Sequence, residues 1–136
     1  MNRTEKALWN RIRRHLPGVS DRVENAAGPG FPDAYADHEK GSYWVELKVT
    51  SESAASDKGR VVGLLRPSQV VWLRRHVREG ASAFMIVGHK RGLVIHRVVY
   101  RDGSVDVEKL FSLTGPFDLK NKLYFNQEMR RGLQHG

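Results

Sequence analysis

The chain has 136 residues, 40% of them hydrophobic, enough for a single domain around one core. It contains no cysteine, which excludes a disulfide framework and a thiolate zinc site and fits a reducing cytosol. The 23 lysines and arginines outnumber 15 acids, and the resulting net charge of +8 attracts polyanions.

No apolar run approaches the roughly 20 residues that span a bilayer, and the start, MNRTEKALWNRIRRHL, is too charged for the apolar segment of a signal peptide. The cytoplasm is the expected location, with no membrane partner. In TEKALWNRIRRHLPG the apolar residues Leu8, Ile12 and Leu16 recur every four positions before Pro17-Gly18, predicting a helix over about 4–16 with Thr4 as its cap. VSDRVEN (19–25) has the short alternation of a strand. PDAYADH and YWVELKV read as two more, joined by a turn at EKGS into a hairpin.

Residues 51–63, SESAASDKGRVVG, have no helical or strand period and read as a mobile, disordered loop. RPSQVVWLRRHVREG predicts a second helix, with Pro67 in its first turn, Val70, Leu73 and Val77 as the buried stripe and Gly80 as the stop. SAFMIVGH and GLVIHRVVY are apolar strands on either side of a turn at Lys90-Arg91-Gly92, DGSVDVE is a further strand, and 118–133 forms a last, weakly patterned helix. The expected fold class is α/β with a mixed central sheet, ordered helix, three strands, helix, strand. A core over about 4–100 and a C-terminal extension over 101–136 make one domain.

Centring the hairpin between Glu39 and Lys40 places Asp33 opposite Glu46, with their Cβ atoms about 5 Å apart on one face. Two opposed carboxylates repel unless a cation or a shared proton relieves them. Strand alternation sends Lys48 to the same face as Glu46, while Val45 and Leu47 point to the other. Gly28 and Gly30 flank Pro29 just before Asp33 and permit close approach of backbone or phosphate. Glu5 falls on the helical stripe of Leu8, Trp9, Ile12 and Leu16, so it is expected to point inward.

The string GFPD followed by VELK on the next strand, with PSQ opening a helix, resembles the signature of the PD-(D/E)XK nuclease superfamily. Within that superfamily the chain is most similar to the small VRR-NUC and Holliday junction resolvase-like endonucleases of bacteria and phages, over roughly residues 4–88. The resemblance implies a restriction-endonuclease-like core and a metal-dependent DNA endonuclease acting in a bacterial or phage-infected cell. Asp33 and Glu46 would hold Mg²⁺ or Mn²⁺ together with the backbone carbonyl of Leu47, and Lys48 would orient water or stabilise phosphate charge. Gln69 would lie near Lys48. The superfamily commonly carries a further metal-binding glutamate on the first helix, for which Glu5 and Glu24 compete. Arg22 and Asn25 would lie near substrate. Hard oxygen ligands suit Mg²⁺ independently of any family.

DNA contacts are expected from Arg11 and Arg14 in the first helix, from Arg22 and Asn25, and from Arg66, Arg74 and Arg75 around the second helix, provided that these segments fold into one surface. Trp72 reads as aromatic core and His76 as a solvated basic edge. A symmetric cut in branched DNA would need two active sites and hence a homodimer. The alternatives are a nucleic-acid-binding protein that keeps the fold without cleaving, and a module that meets an acidic protein. No H-E-x-x-H spacing, nucleotide-binding glycine loop or G-x-S-x-G elbow is present.

Overall fold

The computed structural model describes residues 3–23 and 28–134. Helix α1 (Glu5–Ile12) is capped by Thr4, whose hydroxyl accepts the Ala7 N–H, and it runs into a 3-10 turn at Arg13–His15. Strands β1 (Val19–Arg22), β2 (Ala34–Asp37) and β3 (Tyr43–Val49) follow, then short helices α2 (Glu52–Ala55) and α3 (Lys58–Gly63), and helix α4 (Pro67–Arg78). Strands β4 (Ser82–His89), β5 (Gly92–Arg101) and β6 (Ser104–Thr114) and helix α5 (Leu119–Gln134) complete the chain. The α/β order expected from the sequence is present. Among the described residues no helix is long and apolar enough to cross a membrane.

The six strands lie side by side in chain order, antiparallel except where β3 pairs with β4 in parallel. A parallel pair needs a long crossover, and α2, α3 and α4 supply it. On one face, Leu8, Trp9 and Ile12 of α1 and Phe125, Met129 and Leu133 of α5 pack on Val45, Leu47, Phe84 and Ile86. On the other, Ala55, Val61, Leu65, Trp72 and Leu73 pack on Met85, Val87, Val94 and Val107. Covered on both sides, β4 is a continuous apolar run rather than an alternating one. Residues 101–136 provide β6 and α5, and Phe111, Leu113, Phe125 and Met129 from them belong to the first of these cores.

Two expectations are corrected. Residues 51–63 are not a loop. Ser51 caps α2 by accepting the Ala54 N–H, Asp57 caps α3 by accepting the Arg60 N–H, and Ala55 and Val61 are fully buried. Ser51 and Asp57, which contribute to the loop-like composition, are N-caps, and helices of four and six residues are too short to display a period. Glu5 does not point inward but is exposed. It occupies the first turn of α1, where an acid is favoured by the helix dipole without burial, and the buried stripe begins one turn later at Leu8.

Candidate active site

The β2–β3 hairpin has the register read from the sequence, with Ala34 opposite Val45, Tyr35 opposite Trp44 and Ala36 opposite Tyr43. Continuing that register one step puts Asp33 opposite Glu46. Beyond the last paired residues the Asp33 side chain carries the contact between the strands: its Oδ2 accepts the Leu47 N–H at 2.8 Å, while its carbonyl accepts the Val23 N–H. The acid is thereby fixed to both neighbouring strands.

Glu46 and Lys48 are 2% and 8% exposed, and Gln69 is 2% exposed. Charged groups that deep require partners. Lys48 Nζ lies 3.5 Å from Glu46 Oε2 and donates to Gln69 Oε1 at 3.0 Å, and Gln69 Nε2 donates to the same Glu46 oxygen at 2.9 Å. Gln69 is the third residue of α4, and its Oε1 also accepts the Arg66 N–H at 2.9 Å, the reach-back half of a capping box. One amide therefore starts a helix and joins the acid to the lysine. The other oxygen of Glu46, Oε1, is buried with no hydrogen-bond partner.

Burial above all, and then the neighbouring Asp33 carboxylate, push the Glu46 carboxyl up to about 8, with Lys48 opposing. As two anions the carboxylates share no hydrogen bond, and a proton on Glu46 would supply one toward Asp33. Such a pair accepts a proton or a cation readily. Hard oxygens, one of them buried and unpartnered, fit a divalent ion of the Mg²⁺ or Mn²⁺ type, which takes one or two carboxylates and leaves other positions to water and substrate. Among the described residues no group of three His, Cys, Asp or Glu is gathered for a metal, so Glu5 does not join these acids; Glu24 and Asn25 lie outside the described residues.

The glycines before Asp33 seat the segment against α4. Gly30 has φ +87°, and a Cβ there would collide with the Ser68 carbonyl and meet Trp72 Cβ at 3.3 Å. A cleft of about 260 Å³ opens beside the acid, lined by Val23, Gly28, Pro29, Phe31, Asp33 and Arg66. Arg66 is thus beside the site, and Arg74 and Arg75 are exposed further along α4. Arg22 is elsewhere, its guanidinium 5.6 Å from the Trp9 ring centre on the α1 side. Arg11 and Arg14 also lie on that side, in a basic concavity of about 410 Å³ shared with Arg13, His15 and Lys122. Partial burial, and then Lys122 and Arg14, hold the His15 imidazole below its ordinary value, a sign of the local positive potential. Among the described residues, the six arginines expected to bind DNA do not form one surface.

Trp72 is buried as expected, and exposed His76 stacks on it at 3.8 Å between ring centres. Three aromatic residues not singled out from the sequence join it on the face that carries Glu46: Phe31 and Trp44 meet Trp72, and Tyr35 meets Trp44. The same alternation that aligned Glu46 with Lys48 also aligns Trp44 with both.

No protein-family model matches the sequence, and no curated protein matches it. Among solved structures, the Holliday junction resolvase Hjc of the archaeal hyperthermophile Archaeoglobus fulgidus is similar at 19% identity. That likeness covers 79% of this chain and 82% of the resolvase, with a TM-score of 0.47. So loose a likeness transfers neither an activity nor a substrate.

Proposed function

We propose that this protein is a divalent-metal-dependent endodeoxyribonuclease of the PD-(D/E)XK type, hydrolysing phosphodiester bonds in branched DNA. The observation that supports this reading is the buried Glu46–Lys48–Gln69 network, with an unpartnered Glu46 oxygen beside Asp33. Structural ion pairs buried this deeply normally satisfy every oxygen, whereas a ligand set keeps one in reserve.

Asp33, Glu46 and the Leu47 carbonyl would hold Mg²⁺ or Mn²⁺. A bound ion of this kind lowers the pKa of water and offsets phosphate charge. Lys48 supplies a fixed ammonium at the reacting phosphate, and Gln69 keeps it there by accepting one of its protons while donating to Glu46. Asp33 is held by the Leu47 N–H, so its carboxylate needs no reorganisation when substrate arrives. Arg66, at the mouth of the cleft, is placed to meet a phosphate next to the scissile one. A homodimer would supply the two sites that a symmetric junction cut requires.

The test is cleavage of labelled junctions, flaps and duplexes with Mg²⁺ or Mn²⁺, with sedimentation to give stoichiometry. Lys48→Ala is expected to lower single-turnover cleavage on the order of 10²- to 10³-fold with DNA affinity nearly unchanged. Undiminished cleavage in that variant would return the protein to the class of non-catalytic DNA binders.

A further inference from the structure

The face of the sheet that holds the acids and lysine is only partly covered. Helix α4 lies over β4 and β5, but Val19 of β1 is 71% exposed on this face, and Tyr35 and Trp44 are half-buried. Phe31, two residues before Asp33, is 37% exposed. Its ring centre lies 6.1 Å from that of Trp44 and 5.5 Å from that of Trp72, while Tyr35 and Trp44 are 4.6 Å apart. Trp44 in turn meets Trp72 edge-on at 4.9 Å. The rings form a continuous aromatic floor that ends at the acids, since Trp44 and Glu46 are separated by about 7 Å of strand.

A purely structural cluster would bury its outermost ring. Here the outermost ring, Phe31, stays 37% exposed, and it follows Gly30, whose φ of +87° and position beside the Ser68 carbonyl leave no room for a side chain. Phe31 also lines the cleft that contains Asp33 and Arg66. An aromatic face, a guanidinium and the Asp33 carboxylate within one cleft match one kind of occupant: a nucleotide whose base is out of its helix, with its phosphate toward Arg66. A base inside continuous duplex hides its π-face and cannot use such a floor.

We infer that Phe31, backed by Trp44 and Trp72, is a stacking platform for an unpaired base next to the scissile phosphate, so that the preferred DNA carries unpaired nucleotides at the cut. This rests on the nuclease reading for the location of the scissile phosphate, but not for the stacking itself. An aromatic–base stack accounts for roughly 5- to 100-fold in affinity per base.

The experiment measures binding of a labelled single-stranded oligothymidylate, and of the same strand with abasic positions, by anisotropy in chelator. Wild type, Phe31→Ala and Phe31→Trp are compared, each checked by thermal melting. The wild type is expected to favour the base-bearing strand at least fivefold, Phe31→Ala to lose that ratio, and Phe31→Trp to restore it. Equal binding of both strands by wild type, or a ratio unchanged in Phe31→Ala, overturns the platform. Cleavage of junctions and flaps is scored separately. Cleavage with no base dependence removes the platform and leaves the nuclease, while base dependence with no cleavage keeps the platform and removes the nuclease.

Discussion

The two faces of β3 do opposite work with alternate residues of one strand. Val45 and Leu47 face α1 and α5 in a dry, close-packed layer, while Trp44, Glu46 and Lys48 face the α4 side, where a buried carboxylate keeps an oxygen unpaired. The first face repays the entropy of folding through apolar burial. The second works against it, because a carboxyl raised to about 8 is more stable protonated than as the anion the chemistry uses. Core packing and the proposed chemistry thus draw on alternate residues of one strand.

The largest expected effect is on the chemical face. Asp33→Ala and Glu46→Ala should each lower cleavage by the folded protein by roughly a thousandfold or more, several kcal/mol of transition-state stabilisation, although each also leaves a buried partner, the Leu47 N–H or the Lys48 ammonium, uncompensated. Leu47→Ala, between them in sequence, should cost about 2–5 kcal/mol of stability while its folded fraction cleaves normally. Calorimetry and single-turnover rates on the same samples decide the matter. Slow cleavage by the folded fraction of Leu47→Ala would break the division.

A sharper form uses pH. The folded-state pKa of Glu46 is raised above its ordinary 4.5, so its cost to stability is absent below pH 4.5 and complete above about 8. Without metal, Glu46→Gln should therefore stabilise the protein at pH 8 by on the order of 2–4 kcal/mol, and have little effect at pH 4. Denaturant midpoints across that window give the measurement; a flat difference would mean that Glu46 is not strained.

Gln69→Ala touches both duties of one amide. Leaving Lys48 and the Arg66 N–H without their acceptor should cost about 1–3 kcal/mol and slow cleavage as well. If stability alone falls, the link to Lys48 is incidental. The smallest effect concerns the two basic regions. Replacing Arg66, Arg74 and Arg75 should flatten the salt dependence of duplex affinity by about 0.9 in log-log slope per lost phosphate contact. Replacing Arg11 and Arg14 should leave it unchanged if DNA lies on the α4 side, and the reverse outcome would move the DNA to the opposite face.

The hairpin was readable because alternation and the EKGS turn together permit few registers, and the structure has the one expected. Gln69 was reached through resemblance, and its contacts to Lys48 and Glu46 are in the structure. What escaped were features that depend on the rest of the chain. Helices α2 and α3 are stabilised by burial of Ala55 and Val61 rather than by local pattern, and the exposure of Glu5 depends on where α1 begins to overlie the sheet. The division of the arginines follows from α1 and α4 lying on opposite faces, which charge counting cannot show.

The parallel pairing of β3 with β4 has a consequence in time. Glu46 and Lys48 meet Gln69 only after more than twenty residues of intervening chain have formed α2, α3 and the start of α4. Contacts of such sequence separation form late, because loop closure must precede them. A chain still emerging from the ribosome, or partly unfolded, holds Asp33 and VELK in the hairpin while lacking the amide that joins the lysine to the acid. The proposed chemistry would thereby belong to the completely folded molecule alone.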